Sequence, residues 1–231
     1  MDPVLYDIIR DAEIPEMVPV RRRYPDTGLS DVPAAVAAAL DAGGLSERVP
    51  SGGEIAVTVG SRGIANLPVI VAATVAWFKA HGASPFIIPA VGSHGGASAE
   101  GQLRTLRELG VTGESAGCPI RSSMDVVQVG TLPEGSSVYA DAHAAKVDVI
   151  FILNRVKPHT AFTGEIESGL LKMITIGMGK QRGADSCHLP GFDKMAAVMP
   201  RMPALSIEKL PKIAALVLYE NAYVQTERLE A

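Results

Sequence analysis

The sequence predicts an α/β domain built on a doubly wound, mostly parallel sheet with helices on both faces. Three observations carry this. Short apolar runs without polar alternation recur along the chain, as strands buried on both faces require. Stretches long enough for helices separate them. Glycines cluster just past the apolar runs, where a backbone turns tightly or approaches a ligand.

The elements follow in order. DVPAAVAAALDAGG (31–44) reads as a helix rich in Ala and Leu, with Asp31 as cap and Gly43-Gly44 as stop. EIAVTVG (54–60) is a strand dense in β-branched residues. After the loop SRGIAN, the run 67–82 is a helix with Asn66 at its N-cap and Pro68 in its first turn. The pattern repeats with the strand PFIIPAVG (85–92), the loop SHGGA and a helix over 98–110. VDVIFIL (147–153) is a third buried strand, leading into NRVKPHTAFTG. Short antiparallel strands are expected between Pro119 and Pro133, ALVLYENAY reads as a further strand, and QTERLEA opens like a helix.

Composition narrows the function. The 231 residues suffice for a substantial core, and 1–231 is read as one α/β domain. A net charge of -4 without a block of like charge leaves no electrostatic footprint for nucleic acid or an anionic membrane. Aromatic residues are 5% of the chain, too few for a base-stacking platform. Cys118 and Cys187 fit no zinc or redox spacing, and the N-terminus lacks the pattern of a signal peptide. A cytoplasmic protein is the simplest reading.

Ligands of such sheets bind outside the carboxyl ends of the strands. Arg62, His94 and His159 stand just past the three best strands, so topology gathers a guanidinium and two imidazoles on one rim. Arg62 suits a carboxylate or phosphate clamp, with a surface salt bridge as the alternative. Lys172 stands among apolar neighbours and is either a lysine of lowered proton affinity or a snorkelling side chain. His81 fits a contact at a helix C-terminus, and His143 lies in a surface-like stretch. GMGKQRG (177–183) fails the phosphate-loop pattern and reads as a plain mobile loop.

The loops GSRGIAN and VGSHGGAS, the segment KPHTAFTGEIESGLLK and His188, sixteen residues after Lys172, occur in this order. The chain thereby resembles the N-terminal domain of the lactate racemase family, from about Ile14 to Glu227. That resemblance implies a 2-hydroxy acid racemase or epimerase using a nickel-pincer nucleotide, by reversible hydride transfer. SGLLKMITIG matches the family's attachment motif at Ser168, Gly169, Lys172 and Gly177, which implies Lys172 as the tether. It further implies His94 and His159 as the paired bases, Arg62 with Ser61 at the nucleotide and substrate site, and His188 as the nickel ligand. Cofactor maturation enzymes are the implied partners, and the family's second, C-terminal domain is expected to be either absent or not covered by these residues. The family's D-x-T-R-P is V-G-S-R-G in this chain, and Lys157 stands where the family carries Glu. A 2-hydroxy acid other than lactate is the expected substrate. The rival expectation is a non-catalytic module for a nucleotide or anionic metabolite, which needs Arg62 and the glycine loops alone.

Overall fold

The computed structural model describes residues 4, 6–7, 10–13, 16–158, 163–164, 166–189 and 191–231, without the side chains of 192, 193 and 196. The chain forms α1 (Val32–Ala42), β1 (Glu54–Val59), α2 (Leu67–Ala80), β2 (Ser84–Pro89), α3 (Ala99–Glu108) and α4 (Gly113–Ala116). There follow β3 (Val126–Thr131), β4 (Ser137–Asp141), β5 (Val149–Arg155) and α5 (Leu170–Lys172), which runs into a π turn over Met173–Gly177. The last elements are α6 (Lys180–His188), α7 (Phe192–Val198), α8 (Arg201–Lys209), β6 (Lys212–Glu220) and β7 (Thr226–Glu230).

The main sheet has the order β2-β1-β5-β6-β7. Its first three pairings are parallel and the last, β6 with β7, is antiparallel. This is the expected mostly parallel sheet, and alternate strand residues fill two cores. Ile55, Val57, Phe151 and Leu153 pack with Val36, Leu40, Ile70 and Phe78 of α1 and α2 on one face. Ala56, Ile88, Ile150 and Ile152 pack with Met173, Ile174 and Met178 of the π-turn segment on the other. Burial on both faces is why the strands read as unbroken apolar runs.

Local signals hold where they depend on neighbours alone. Asp31 accepts a hydrogen bond from the Ala34 amide at 3.0 Å, and Ser98 caps α3 by accepting from Gly101 N at 3.1 Å. Asn66 occupies the N-cap of α2 but does not cap it. Its backbone is left-handed (φ 59°) and its side chain donates to Thr226 Oγ1 at 3.1 Å instead. The expected antiparallel strands appear as β3, which pairs with β4 in a separate two-stranded sheet. That hairpin shares a third core with α6, α7 and α8 through Leu132, Val138, Cys187, Met195 and Met202.

Two expectations are overturned. QTERLEA does not open a helix: residues 226–230 are strand β7. Asn221 turns the chain, its side-chain oxygen accepting from the amides of Tyr223 and Gln225 at 3.0 Å, and the returning segment covers the free edge of β6. Pairing of that edge overrides the helix preference of Glu, Arg and Leu. GMGKQRG is no mobile loop either. It completes the π turn and begins α6, with Lys180 entirely buried.

Candidate active site

The parallel strands β2, β1, β5 and β6 end on one edge of the sheet, which places the segments after β1, β2 and β5 on a common rim. The loop after β1 carries Ser61 and Arg62, and the loop after β2 carries His94. Ser61 Oγ and His94 Nδ1 lie 2.5 Å apart. The His94 loop is held by its own backbone, since the His94 amide donates to Val91 O and the Ala97 amide to Ser93 O, each at 3.2 Å. Gly95, at φ 75°, rests on the first turn of α3 so closely that a Cβ on Gly101 would lie 1.6 Å from its carbonyl oxygen.

Lys172 ends α5 and is half-buried. The π turn that follows is pressed on the β2 rim. The Gly92 amide donates to Gly177 O at 3.3 Å, and a Cβ on Gly177 would come within 2.6 Å of both Ala90 O and Met173 Sδ. Gly177 therefore acts here as a point of close approach between two segments of backbone. π turns inside helices recur at functional sites.

The electrostatics of the rim are one-sided. Partial burial lowers the proton affinity of His94, and the charges of Arg62 and Lys172 lower it further. Burial likewise lowers Lys172, with Lys157 and Arg62 adding to the effect and Cys187 opposing it. Lys157 is lowered by burial and then by Arg155 and Arg62. His188, at the C-terminal end of α6, is lowered by burial and by Lys172, against an opposing pull from Asp185. Beside it, burial pushes the Cys187 thiol up to about 11.

Arg155 is neutralised by Glu220, whose other oxygen accepts from the Ala65 amide at 2.7 Å. Arg62, Lys157 and Lys172 have no salt-bridge partner among the described residues. The surface salt bridge considered for Arg62 is thus not seen among them. Three cations without a carboxylate partner among the described residues thus stand beside two imidazoles whose proton affinity is lowered.

Of the expected site residues, Ser61 touches His94, Arg62 and Lys172 act on the charge of His94, Lys172 acts on that of His188, and Gly177 meets the backbone of the β2 loop. His159 lies outside the described residues. His81 sits at the end of α2 as expected, its Nδ1 2.8 Å from Trp77 O and its ring stacked on Trp77. His143 leads a short 3-10 turn, and its amide donates to Asp141 Oδ1 at 2.8 Å. Sequence reading passed over Cys187 as a neighbour of Lys172 and missed the buried role of Lys180. No spacing announces either, because their neighbours are distant in the chain.

Among solved structures, the lactate racemase apoprotein from Thermoanaerobacterium thermosaccharolyticum matches with a TM-score of 0.57 over 90% of this chain, at 14% identity. The fold is lactate racemase-like. This chain spans 55% of the length of that racemase. No protein-family model matches the chain, and no curated protein matches it. Within the racemase-like fold, the parallel strand ends carry the basic rim. Among the described residues no group of three His, Cys, Asp or Glu side chains is placed to hold a metal ion by itself. No helix among them is long and apolar enough to cross a membrane.

Proposed function

We propose that this chain carries the site of an isomerase that racemises or epimerises a 2-hydroxy acid, with a nickel-pincer nucleotide tethered to Lys172. The observation that supports it is the sharing of one rim by a half-buried lysine of lowered proton affinity, an arginine without a carboxylate partner among the described residues and a hydroxyl-bonded histidine.

The residues present fit such a group. A nucleotide brings a phosphate, and Arg62 and Lys157 supply positive charge that no described carboxylate neutralises. An amine of lowered proton affinity is the form of lysine that acts as a nucleophile or attachment point. His188 is held toward its neutral form, which has a lone pair to offer a metal, and one protein ligand suffices where the nucleotide supplies the others. When bound, the group supplies a reversible acceptor for the hydride on the substrate's Cα.

The chain's own residues bind the substrate and move its proton. Arg62 clamps the carboxylate through two parallel hydrogen bonds and fixes Cα in place. Burial and the charges of Arg62 and Lys172 hold His94 toward its neutral form, in which it can take the hydroxyl proton on one side. Its Nδ1 is engaged by Ser61, which leaves Nε2 for the transfer. The serine hydroxyl both donates and accepts, so it supports either tautomer of the ring. His159 is assigned the same work for the other enantiomer. The soluble 2-hydroxy acid and the maturation enzymes are the partners of this reading, and the reducing cytoplasm, which matches two free cysteines, is its compartment.

Co-expression with the nickel-pincer maturation enzymes, followed by intact mass and nickel content, tests the reading. A mass increment and nickel in the parent, both lost in Lys172→Ala, are expected. A folded parent without either, beside a control that is loaded, would overturn it and favour the binding module for anionic metabolites.

A further inference from the structure

Lys180 is among the largest fully buried side chains of the protein, and the proposed reaction makes no use of it. It opens α6 in a left-handed backbone conformation (φ 54°), which L residues adopt only at a cost in energy. Its Nζ lies 3.0 Å from Asp141 Oδ2 at the end of β4, and the two side chains are 1% and 0% exposed. The same ammonium donates to Gln102 Oε1 in α3 at 3.0 Å and to the Pro89 carbonyl at the end of β2. The ammonium therefore has two hydrogen-bond acceptors, Gln102 Oε1 and Pro89 O, and a carboxylate oxygen at ion-pair distance.

The connection continues from there. Gln102 Nε2 donates to the Gly92 carbonyl at 3.1 Å, and the Gly92 amide donates to Gly177 O at 3.3 Å. Asp141 Oδ1 accepts from the amides of His143 and Ala144, so the carboxylate is fixed by a turn of its own. One buried cation thereby joins the β3–β4 hairpin, the start of α6, α3 and the rim loop that bears His94. Replacing a buried ion pair by well-packed apolar side chains is often neutral or stabilising. Stability alone is therefore a weak account of this one, whereas Lys180 opens the helix that carries His188 and its partner Gln102 holds the Gly92 carbonyl at the base of the His94 loop.

We propose that Lys180 is a positioning residue, which acts through Gln102 and Gly92 to hold the His94 loop against the segment that carries Lys172 and His188. The roles of His94 and Lys172 rest on the proposed function, but the linkage is a set of hydrogen bonds that needs no ligand.

The test is amide hydrogen exchange and ring titration of His94 by NMR, on the cofactor-free 231-residue chain. Gln102→Leu cuts the link to Gly92 while leaving the Lys180–Asp141 pair in place. The Gly92 and Ala97 amides should then exchange roughly tenfold faster relative to the Leu153 amide in β5, as expected for losing one hydrogen bond to a charged network. The His94 midpoint should rise, because a looser loop moves the ring away from Arg62 and Lys172. Lys180→Met should do both more strongly. A folded Gln102→Leu protein with the parent's loop exchange and His94 midpoint, or with exchange raised evenly through β5, overturns the proposal. Should Lys180→Met not fold, Gln102→Leu decides by itself. Loading of Lys172 is a separate measurement, so the linkage and the proposed function can fail independently.

Discussion

Ser61 and His94 lie on different loops, and the 2.5 Å contact between Oγ and Nδ1 joins the ends of β1 and β2 across the candidate site. It fixes the orientation of the imidazole without committing it to a tautomer. Ser61→Ala should remove about 1 kcal/mol of orienting interaction and lower the proposed racemisation by roughly fivefold to tenfold. Ser61→Thr keeps the hydroxyl and should retain most of the rate. Initial rates of the loaded variants check this, and equal loss in both would remove the hydroxyl from the account.

Acid should weaken the fold through the two rim histidines. His94 and His188 both bind their protons less readily in the folded protein than when free, so the unfolded chain holds more protons as the pH falls below about 6.5. Stability is therefore highest above the unfolded value and falls as the pH drops toward the folded ones. The parent's Tm should fall between about pH 7 and pH 5, and His94→Gln with His188→Gln together should flatten that slope. An unchanged slope in the double variant would place the acid response elsewhere.

Lys172 should behave as the most reactive lysine of the rim. Burial, Lys157 and Arg62 all favour its free amine, and an amine-directed aldehyde at mildly alkaline pH reads this directly. Peptide mapping should find Lys172 modified ahead of exposed lysines such as Lys79. Arg62→Gln and Lys157→Gln should each slow its modification, since each removes a positive charge that opposes protonation. Labelling governed by exposure alone would contradict the site's electrostatics.

The readable parts of the molecule are those whose cause is local or is burial on both faces. β1, β2 and β5 announce themselves as unbroken apolar runs because both of their faces are covered. Asp31 and Ser98 cap helices through amides three residues away. The position of His94 follows from the rule that ligands sit past parallel strands, but its bond to Ser61 spans two loops and has no signature in spacing. Residues 226–230 carry helix-forming side chains, and only the open edge of β6 makes them a strand. Lys180 is hidden for the same reason. Its partners Gln102 and Asp141 come from elements far away in sequence, so the motif around it reads as a glycine loop.

The Lys180–Asp141 pair should be costly to break and less costly to replace. Asp141→Leu leaves the ammonium buried without its counter-charge and should lose about 3–5 kcal/mol of stability, as broken buried pairs do. Lys180→Met with Asp141→Leu removes both charges and should lose less than the sum of the single changes. Denaturant melts of the two single variants and the double variant measure this coupling, and additive losses would mean that the two groups do not act as a pair.

Gly177 offers a sharper test of how the rim is assembled, because its constraint is space and not charge. A methyl group there would meet the Ala90 carbonyl at 2.6 Å, and backbone cannot move aside as a flexible side chain does. Gly177→Ala should push the π turn off the β2 loop and cost about 1–3 kcal/mol, the usual range for overpacking. The same displacement carries Lys172 out of its burial and away from Arg62 and His94, so lysine labelling should slow in the folded variant and the His94 midpoint should rise. Gly96→Ala is the control: that position has open space around it, and only its left-handed φ of 67° opposes the change. A Gly177→Ala protein as stable as the parent, with Lys172 labelled at the parent's rate, would show that the π turn does not depend on this close approach.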